Sequence, residues 1–391
     1  MTEPLFPKGA FHQCSGITHV CAAGESLPLR SQGDAVARYL RDKANGVHGR
    51  VQQEIEVTHL RSLISESWQV TLEEIGFVSN VAEGVSLVLE SLHWQDGDNV
   101  CVDVNEYPSL VAPVALGSQA RQRNRGDRAP TVSESQAFAV RYCSSETLSA
   151  QVDHNTRIIL VSYVSYLNGA RVDLNHYRRL ANSAGALLIV DFTQAAGYLS
   201  IDASIADFAF SACYKWLLGV TGTAIAYWNQ SRQPRWKPAT AGWYSLSIGQ
   251  ARPQWEAGRI NVRNDALCFS RGNPSHVSIY MLREGIEFLK RWSPETIEQH
   301  VQGLTTELMT RLEHEEIPFT TPRARQDHGA SVTIDCPGAK EIVGELDQLG
   351  IQAWNGRGRV RFSFHGYNCL DDVARIIKEF PRLWKHWQNI T

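Results

Sequence analysis

The sequence predicts an α/β protein: a large domain with a mostly parallel sheet between helices, followed by a smaller α+β C-terminal domain. Three observations predict it. Short apolar runs of strand length alternate with amphipathic helical stretches from about residue 34 to 235, and apolar strands separated by helices make a parallel sheet covered on both faces. After Trp236 that rhythm stops and a new series of helices and strands begins near residue 275. The chain has 391 residues, which suits two packed domains rather than one simple core. We expect an arm at residues 1–33 that contributes to the active site and the small domain, a large domain at 34–270 and a small domain at 271–391.

Taken in order, residues 35–45 and 51–68 read as helices, 75–78 as a strand and 82–92 as a helix. Residues 99–104 and 157–164 are buried strands. A helix at 174–183 carries Leu174, Tyr177, Leu180 and Ala181 on one face and stops at Gly185, a residue suited to the left-handed end of a helix. Strands at 186–191, 207–211 and 223–228 complete the series. Residues 237–275 hold many Gly, Trp and Arg with weak periodicity and read as a connecting, site-forming stretch. Helices at 275–292, 298–313, 340–349 and 370–380 then alternate with strands at 330–335 and 360–364.

The formal net charge is -3, from 38 basic and 41 acidic residues. The densest basic stretch, Arg121, Arg123, Arg125 and Arg128, lies among Gln, Asn, Gly and Pro and reads as a solvated loop. Basic residues interleaved with aromatics on one element are absent, so no nucleic-acid partner is expected. No run reaches the ~18–20 apolar residues of a membrane span, and residues 1–10 do not have the pattern of a signal peptide. The eight cysteines are scattered without a C-x-x-C pair. Neither a metal site nor a disulfide framework is expected, and the compartment expected is the cytoplasm.

The chemistry concentrates in two runs. Leu188 to Gly197 reads LIVDFTQAAG, and Ser211 to Gly219 reads SACYKWLLG. Asp191 ends a strand at the edge where open α/β sheets bind ligands. Lys215 follows in a turn flanked by Trp216, Leu217 and Leu218, neighbours that would strip water from its amine. Taken alone, each has an ordinary explanation: a turn aspartate and a lysine lying over an apolar patch.

Together, the D-x-x-Q-x-x-G element and the later Y-K-W-L-x-G element resemble the signature of the class V aminotransferases, within fold type I of the pyridoxal 5′-phosphate (PLP) enzymes. The superfamily includes cysteine desulfurases, isopenicillin N epimerase-like proteins, C–S lyases and kynureninase. The resemblance runs over roughly residues 20–385 in the family's order. It implies that Lys215 is the Schiff-base lysine, that Asp191 pairs with the pyridine nitrogen and that Gln194 bonds the phenolic oxygen. It also implies a PLP-binding role for the large domain.

The run FVSNVAEG, Phe77 to Gly84, resembles the phosphate turn. Family members often carry Thr at or beside Val81 and Ala82, so here backbone N–H groups at a helix start would bind the dianion. Tyr107, in NEYPS after the strand at 99–104, falls where the family stacks an aromatic ring on the cofactor. Tyr214 stands where a His often precedes the lysine and would donate to phosphate. FSRGNPS, Phe269 to Ser275, resembles a Phe-x-x-Gly-Thr-Pro element with Asn273 for Thr. In the family that residue reaches the neighbouring subunit's phosphate, which implies a homodimer with a shared site.

VRFSFHGYN, Val360 to Asn368, resembles the element whose Arg grips the substrate α-carboxylate, here Arg361. Arg357 and Arg359 read as solvated loop charges. Cys21 to Gly24 resembles the loop that approaches the substrate. Asn168 and Tyr166 lie at the ligand edge, and the sequence does not decide which of them faces the cofactor; Asn168 is assigned to the substrate, and Trp243 and Arg259 either line the pocket or pack.

The resemblance implies an enzyme acting at Cα of an amino acid, with aminotransferase-type chemistry expected. The alternatives are a C–S lyase acting on a cysteine derivative, or an epimerase using Tyr107 or His365 as a second acid/base. Residues 353–364 hold no Cys, which disfavours a persulfide-forming desulfurase. A scaffold without activity is disfavoured because Lys215, Asp191 and Gln194 are all present.

Overall fold

A computed structural model describes residues 3–14, 16–124, 138–247 and 260–388. The first part of the chain forms β1 (Thr18–His19), α1 (Ser31–Ala44), α2 (Gly46–Trp68), β2 (Ile75–Val78), α3 (Val81–Glu90), β3 (Asn99–Asp103) and α4 (Pro108–Asn124). Next come β4 (Ala139–Cys143), α5 (Leu148–Gln151), β5 (Thr156–Ser162), α6 (Leu174–Ala184), β6 (Leu187–Asp191), β7 (Phe208–Ala212) and β8 (Ala224–Trp228). The last part is α7 (His276–Leu289), α8 (Pro294–His314), β9 (Ser331–Asp335), α9 (Ala339–Gln348), β10 (Ile351–Gln352), β11 (Trp354–Gly356), β12 (Arg359–Ser363) and α10 (Leu370–Gln388).

Seven strands make the main sheet in the order β2-β8-β7-β6-β5-β3-β4. Only β8 runs against its neighbours; the pairs from β7 through β6, β5 and β3 to β4 are parallel. The residues of β5 alternate between two cores, Ile158 and Leu160 facing one and Ile159 and Val161 the other. That is the burial expected of a strand covered on both faces. Helix starts and stops follow local chemistry. Asp173 caps α6 by accepting from the Asn175 N–H, and Gly185 ends it at φ 68°. Ser293 caps α8 ahead of Pro294.

Several stretches differ from the sequence reading, which contained neither the edge strand β4 nor the short elements β1, α5, β10 and β11. Residues 108–124 form a helix, because Leu110 and Val114 bury fully beneath it. Arg121 and Arg123, expected in a loop, therefore sit on its final turns, while Arg125 and Arg128 lie outside the described residues. Helix α7 packs on α1 and α2, at the side of the large sheet.

The C-terminal sheet is antiparallel, in the order β11-β12-β9. The N-terminal arm runs beside it: β1 pairs with β10, Cys21 bridges Ser363, and the Ser363 N–H donates to the Val20 carbonyl at 2.7 Å. Among the described residues, no helix is long and apolar enough to cross a membrane.

Candidate active site

Five strands that run in one direction end at one edge of the main sheet, and each releases a loop there. Residues 79–82 follow β2, 104–107 follow β3, 163–168 follow β5, 192–194 follow β6 and 213–215 follow β7. The arm and β12 face them, the arm through the Ser26 N–H, which donates to the Tyr214 carbonyl at 3.3 Å.

Lys215 is 4% exposed. Its amine is pushed down to about 8, foremost by burial, then by the Arg361 charge; Asp191 and Glu25 pull the other way. Its Nζ lies 5.2 Å from the Tyr107 ring centre and 5.4 Å from that of Tyr214.

Asp191 is buried at the end of β6, and burial raises its carboxyl above the ordinary value, against hydrogen bonds from Thr193 and the charge of Lys215. The Thr193 N–H donates to Oδ1 at 2.7 Å. Gln194 Nε2 donates to the Ala23 carbonyl at 3.0 Å, and its Oε1 accepts from Trp216 Nε1 at 3.0 Å. These two partners fix the amide orientation and leave one N–H free. Gly197 closes the element at φ 113°, where a Cβ would lie 2.3 Å from the Trp216 carbonyl oxygen. The motif's glycine is thus what lets the Lys215 loop lie against the strand end.

Arg361 on β12 is 7% exposed. Nη1 donates to the Tyr166 carbonyl at 2.6 Å, while Nε is buried without a partner among the described residues. Burial holds this guanidinium down at about 10, with Cys21, Tyr107 and Tyr166 opposing. No carboxylate pairs with it among the described residues. A buried cation in that state is ready for an anion. Cys21 lies beside it and connects to a buried chain: Sγ is 3.2 Å from His19 Nε2, and His19 Nδ1 is 3.0 Å from the Tyr367 hydroxyl. Burial keeps His19 neutral, at about 4, and holds the Cys21 thiol up at about 12.

The other residues singled out in the sequence fall as follows. The Val81 and Ala82 N–H groups open α3; the Asn80 side chain caps Glu83 instead, and the Glu83 carboxylate accepts from the Ser79 N–H at 2.7 Å. Tyr214 precedes Lys215, its hydroxyl raised to about 12, foremost by burial. Asn273 lines a cavity of about 230 Å³ with Ser79, Glu83 and Thr223, and its Oδ1 accepts from Arg50. Asn168 turns to its own loop, Oδ1 accepting from the Ala170 N–H at 3.0 Å. Tyr166, on the same loop, has its ring 4.9 Å from that of Tyr107, and its buried hydroxyl has no partner among the described residues. Trp243 is exposed beside Arg50, and Arg259 lies outside the described residues. His365 sits behind Lys215, with Nε2 3.0 Å from the Trp216 carbonyl, and burial lowers it to about 3. That contact ties it to the lysine loop.

The Aminotransferase class-V family model matches residues 33–376. The chain belongs to the class-V aminotransferase family. A probable cysteine desulfurase of Pyrococcus abyssi is 23% identical over 370 residues, 89% of each chain. A mutant of C-DES with glycine covalently linked to its PLP cofactor superposes with a TM-score of 0.84 at 18% identity, covering 96% of this chain and 99% of that one. The cystine C–S lyase C-DES in complex with its reaction product cysteine persulfide gives 0.82 at 18% identity, covering 94% and 98%. This class-V chain is a PLP-dependent enzyme.

The side chains fit that cofactor. Asp191 is a buried acid with no ion-pair partner among the described residues, suited to a ring cation. The helix start at Val81 and Ala82 offers open N–H groups to a dianion. Lys215 is an amine largely stripped of water. The sequence reading had not found Glu106. This buried carboxylate accepts from the Ser162 N–H at 2.7 Å, the Ser162 hydroxyl at 2.6 Å and the Tyr107 N–H at 2.7 Å, and so fixes the loop that carries Tyr107. Nothing in the stretch NEYPS distinguishes Glu106 from a solvated turn residue. His19 was missed as well, since its partner Tyr367 is 348 positions away.

Proposed function

We propose that this enzyme cleaves the Cβ–S bond of a cysteine-type amino acid by β-elimination, with Lys215 removing the Cα proton and Arg361 holding the α-carboxylate. The observation that carries this reading is the coexistence, at one sheet edge, of a buried amine lowered to about 8 and a buried guanidinium without a carboxylate partner among the described residues. Arg361 orients the substrate by its planar, bidentate fork. Lys215 Nζ accepts the Cα proton, which an amine near pH 8 does efficiently. The C–S bonding pair leaves with the sulfur.

PLP, when bound, supplies the electron sink that makes the Cα proton acidic. In our reading Asp191 holds its ring nitrogen, the free N–H of Gln194 its phenolic oxygen and Tyr107 its ring face. Val81, Ala82 and Tyr214 hold the phosphate. Residues 34–270 then carry the cofactor, while the arm and residues 271–391 carry substrate contacts. Asn273, whose Nδ2 still has donors, would reach the phosphate of a second subunit in a homodimer. Tyr166 takes the substrate-side place that the sequence assigned to Asn168.

Support for sulfur chemistry comes from the relatives, several of which bear the name cysteine desulfurase. Since the β11–β12 hairpin holds no Cys, release of the sulfur product is favoured over its transfer to that hairpin. Transamination is the second reading. It is favoured by the family match and shares the first proton transfer. Product analysis separates them: elimination yields pyruvate, ammonia and a thiol, whereas transamination yields a keto acid that keeps its sulfur. Appearance of the latter alone would overturn the elimination reading.

A further inference from the structure

The arm and the β11–β12 turn carry two opposite charges, neither in an ion pair among the described residues. Glu25 is exposed, and its carboxylate takes part in no hydrogen bond or ion pair among the described residues. A turn fixes it, with the Gly24 and Glu25 N–H groups both donating to the Cys21 carbonyl, at 2.8 and 3.0 Å. Ser26 then ties the turn to the Tyr214 carbonyl beside Lys215. The turn that carries Glu25 is therefore anchored on one side at Cys21, beside Arg361, and on the other at the residue before Lys215, and the charges of Glu25 and Lys215 act on each other.

Arg357 is the matching cation. It sits at φ 53° in the turn between β11 and β12, and its guanidinium lies 5.6 Å from the ring centre of Tyr166, whose carbonyl holds Arg361. Arg359, two residues on, is tied to Asp335 at 2.6 Å, but Arg357 has no acidic partner among the described residues. Trp354 joins the two sides, packed so closely on Gly24 that a Cβ there would lie 2.5 Å from its ring.

We propose that Glu25 and Arg357 form a distal subsite that reads a zwitterionic amino-acid group carried on the substrate's sulfur. Glu25 receives the distal ammonium and Arg357 the distal carboxylate, while Arg361 holds the proximal carboxylate. The substrate class is then two amino acids joined through sulfur, as a thioether or a disulfide. This rests on the C–S cleavage reading. In the reaction the Cα proton passes to Lys215, the C–S pair leaves on sulfur, and sulfur takes up a proton. Water then hydrolyses the released three-carbon fragment to pyruvate and ammonia.

The test measures pyruvate formation by the PLP-loaded enzyme from L-lanthionine, L-cystine and S-methyl-L-cysteine. The quantity read is the ratio of kcat/KM for each bis-amino acid to that for S-methylcysteine, which cancels any general loss of folding. In Glu25→Gln and in Arg357→Gln the ratio should fall about tenfold, the scale of one lost charge contact. The arm with the larger fall, thioether or disulfide, names the linkage. An unchanged ratio in both variants overturns the subsite alone. Absence of pyruvate from all three compounds overturns the cleavage reading, and the subsite with it.

Discussion

The guanidinium of Arg361 donates through Nη1 to the Tyr166 carbonyl at 2.6 Å, while its buried Nε has no acceptor among the described residues. The Tyr166 contact aims the fork without neutralising it. In Arg361→Lys the charge remains but the planar pair of donors is lost, and an ammonium is hydrated more strongly. KM for the amino acid should rise roughly 30- to 300-fold, the cost of one buried charge-assisted contact, with a smaller change in kcat. Steady-state kinetics check this; an unchanged KM would remove Arg361 from the carboxylate grip.

The pH dependence of Lys215 follows from its depressed value of about 8, against 10.5 for the free side chain. The apoenzyme amine must be unprotonated to react with an aldehyde. The rate of PLP uptake should therefore rise about tenfold per pH unit below 8 and level off above it. Stopped-flow absorbance on the apoenzyme measures this. The linkage has a sign too: between about 8 and 10.5 the unfolded chain binds the proton that the folded chain has lost, so this group's destabilising effect shrinks as pH rises through that window. In Arg361→Gln one cause of the depression is gone, and the midpoint should move upward.

Much of the large domain was legible because two periodicities, of strand and helix, alternate there, and because Asp191, Gln194, Gly197 and Lys215 lie within 25 positions of one another. Local spacing carried that information. Helix α4 was not legible, since its burial depends on Leu110 and Val114 meeting a sheet assembled from distant strands. The arm was legible only as a loop of small residues. Its roles through His19, Cys21 and Glu25 arise when β1 pairs with β10, across more than 330 positions. Asn168 and Tyr166 could not be ranked from sequence, because the choice turns on which side chain closes its own turn.

Gly197 offers a test of packing behind the lysine. Alanine there must adopt φ 113°, and its Cβ would collide with the Trp216 carbonyl, which His365 Nε2 also contacts. Strain and overpacking together should destabilise the fold by roughly 3 kcal/mol. Denaturant titration of Gly197→Ala should show a lower midpoint with little change in slope. A midpoint equal to wild type would show that the loop can shift without cost.

Glu106 supplies the last prediction, and it concerns the positioning of Tyr107. The carboxylate receives three donors at once: Oε2 takes the Ser162 N–H, and Oε1 takes both the Ser162 hydroxyl and the Tyr107 N–H. Burial raises this carboxyl, and the three donors pull against that rise. Glutamine has nearly the same shape but only one accepting oxygen. Wherever its NH₂ points, at least one donor inside the site faces another donor and loses its partner. The expected cost is about 1–3 kcal/mol for one buried unsatisfied group. The lost tether should also loosen Tyr107 over the Lys215 amine, so PLP affinity should fall in Glu106→Gln while substrate KM at saturating PLP changes less. Equilibrium PLP titration and thermal denaturation of the apoenzyme measure the two effects separately. If thermal stability drops while PLP affinity is kept, the carboxylate serves the β3–β5 junction and not the placement of Tyr107.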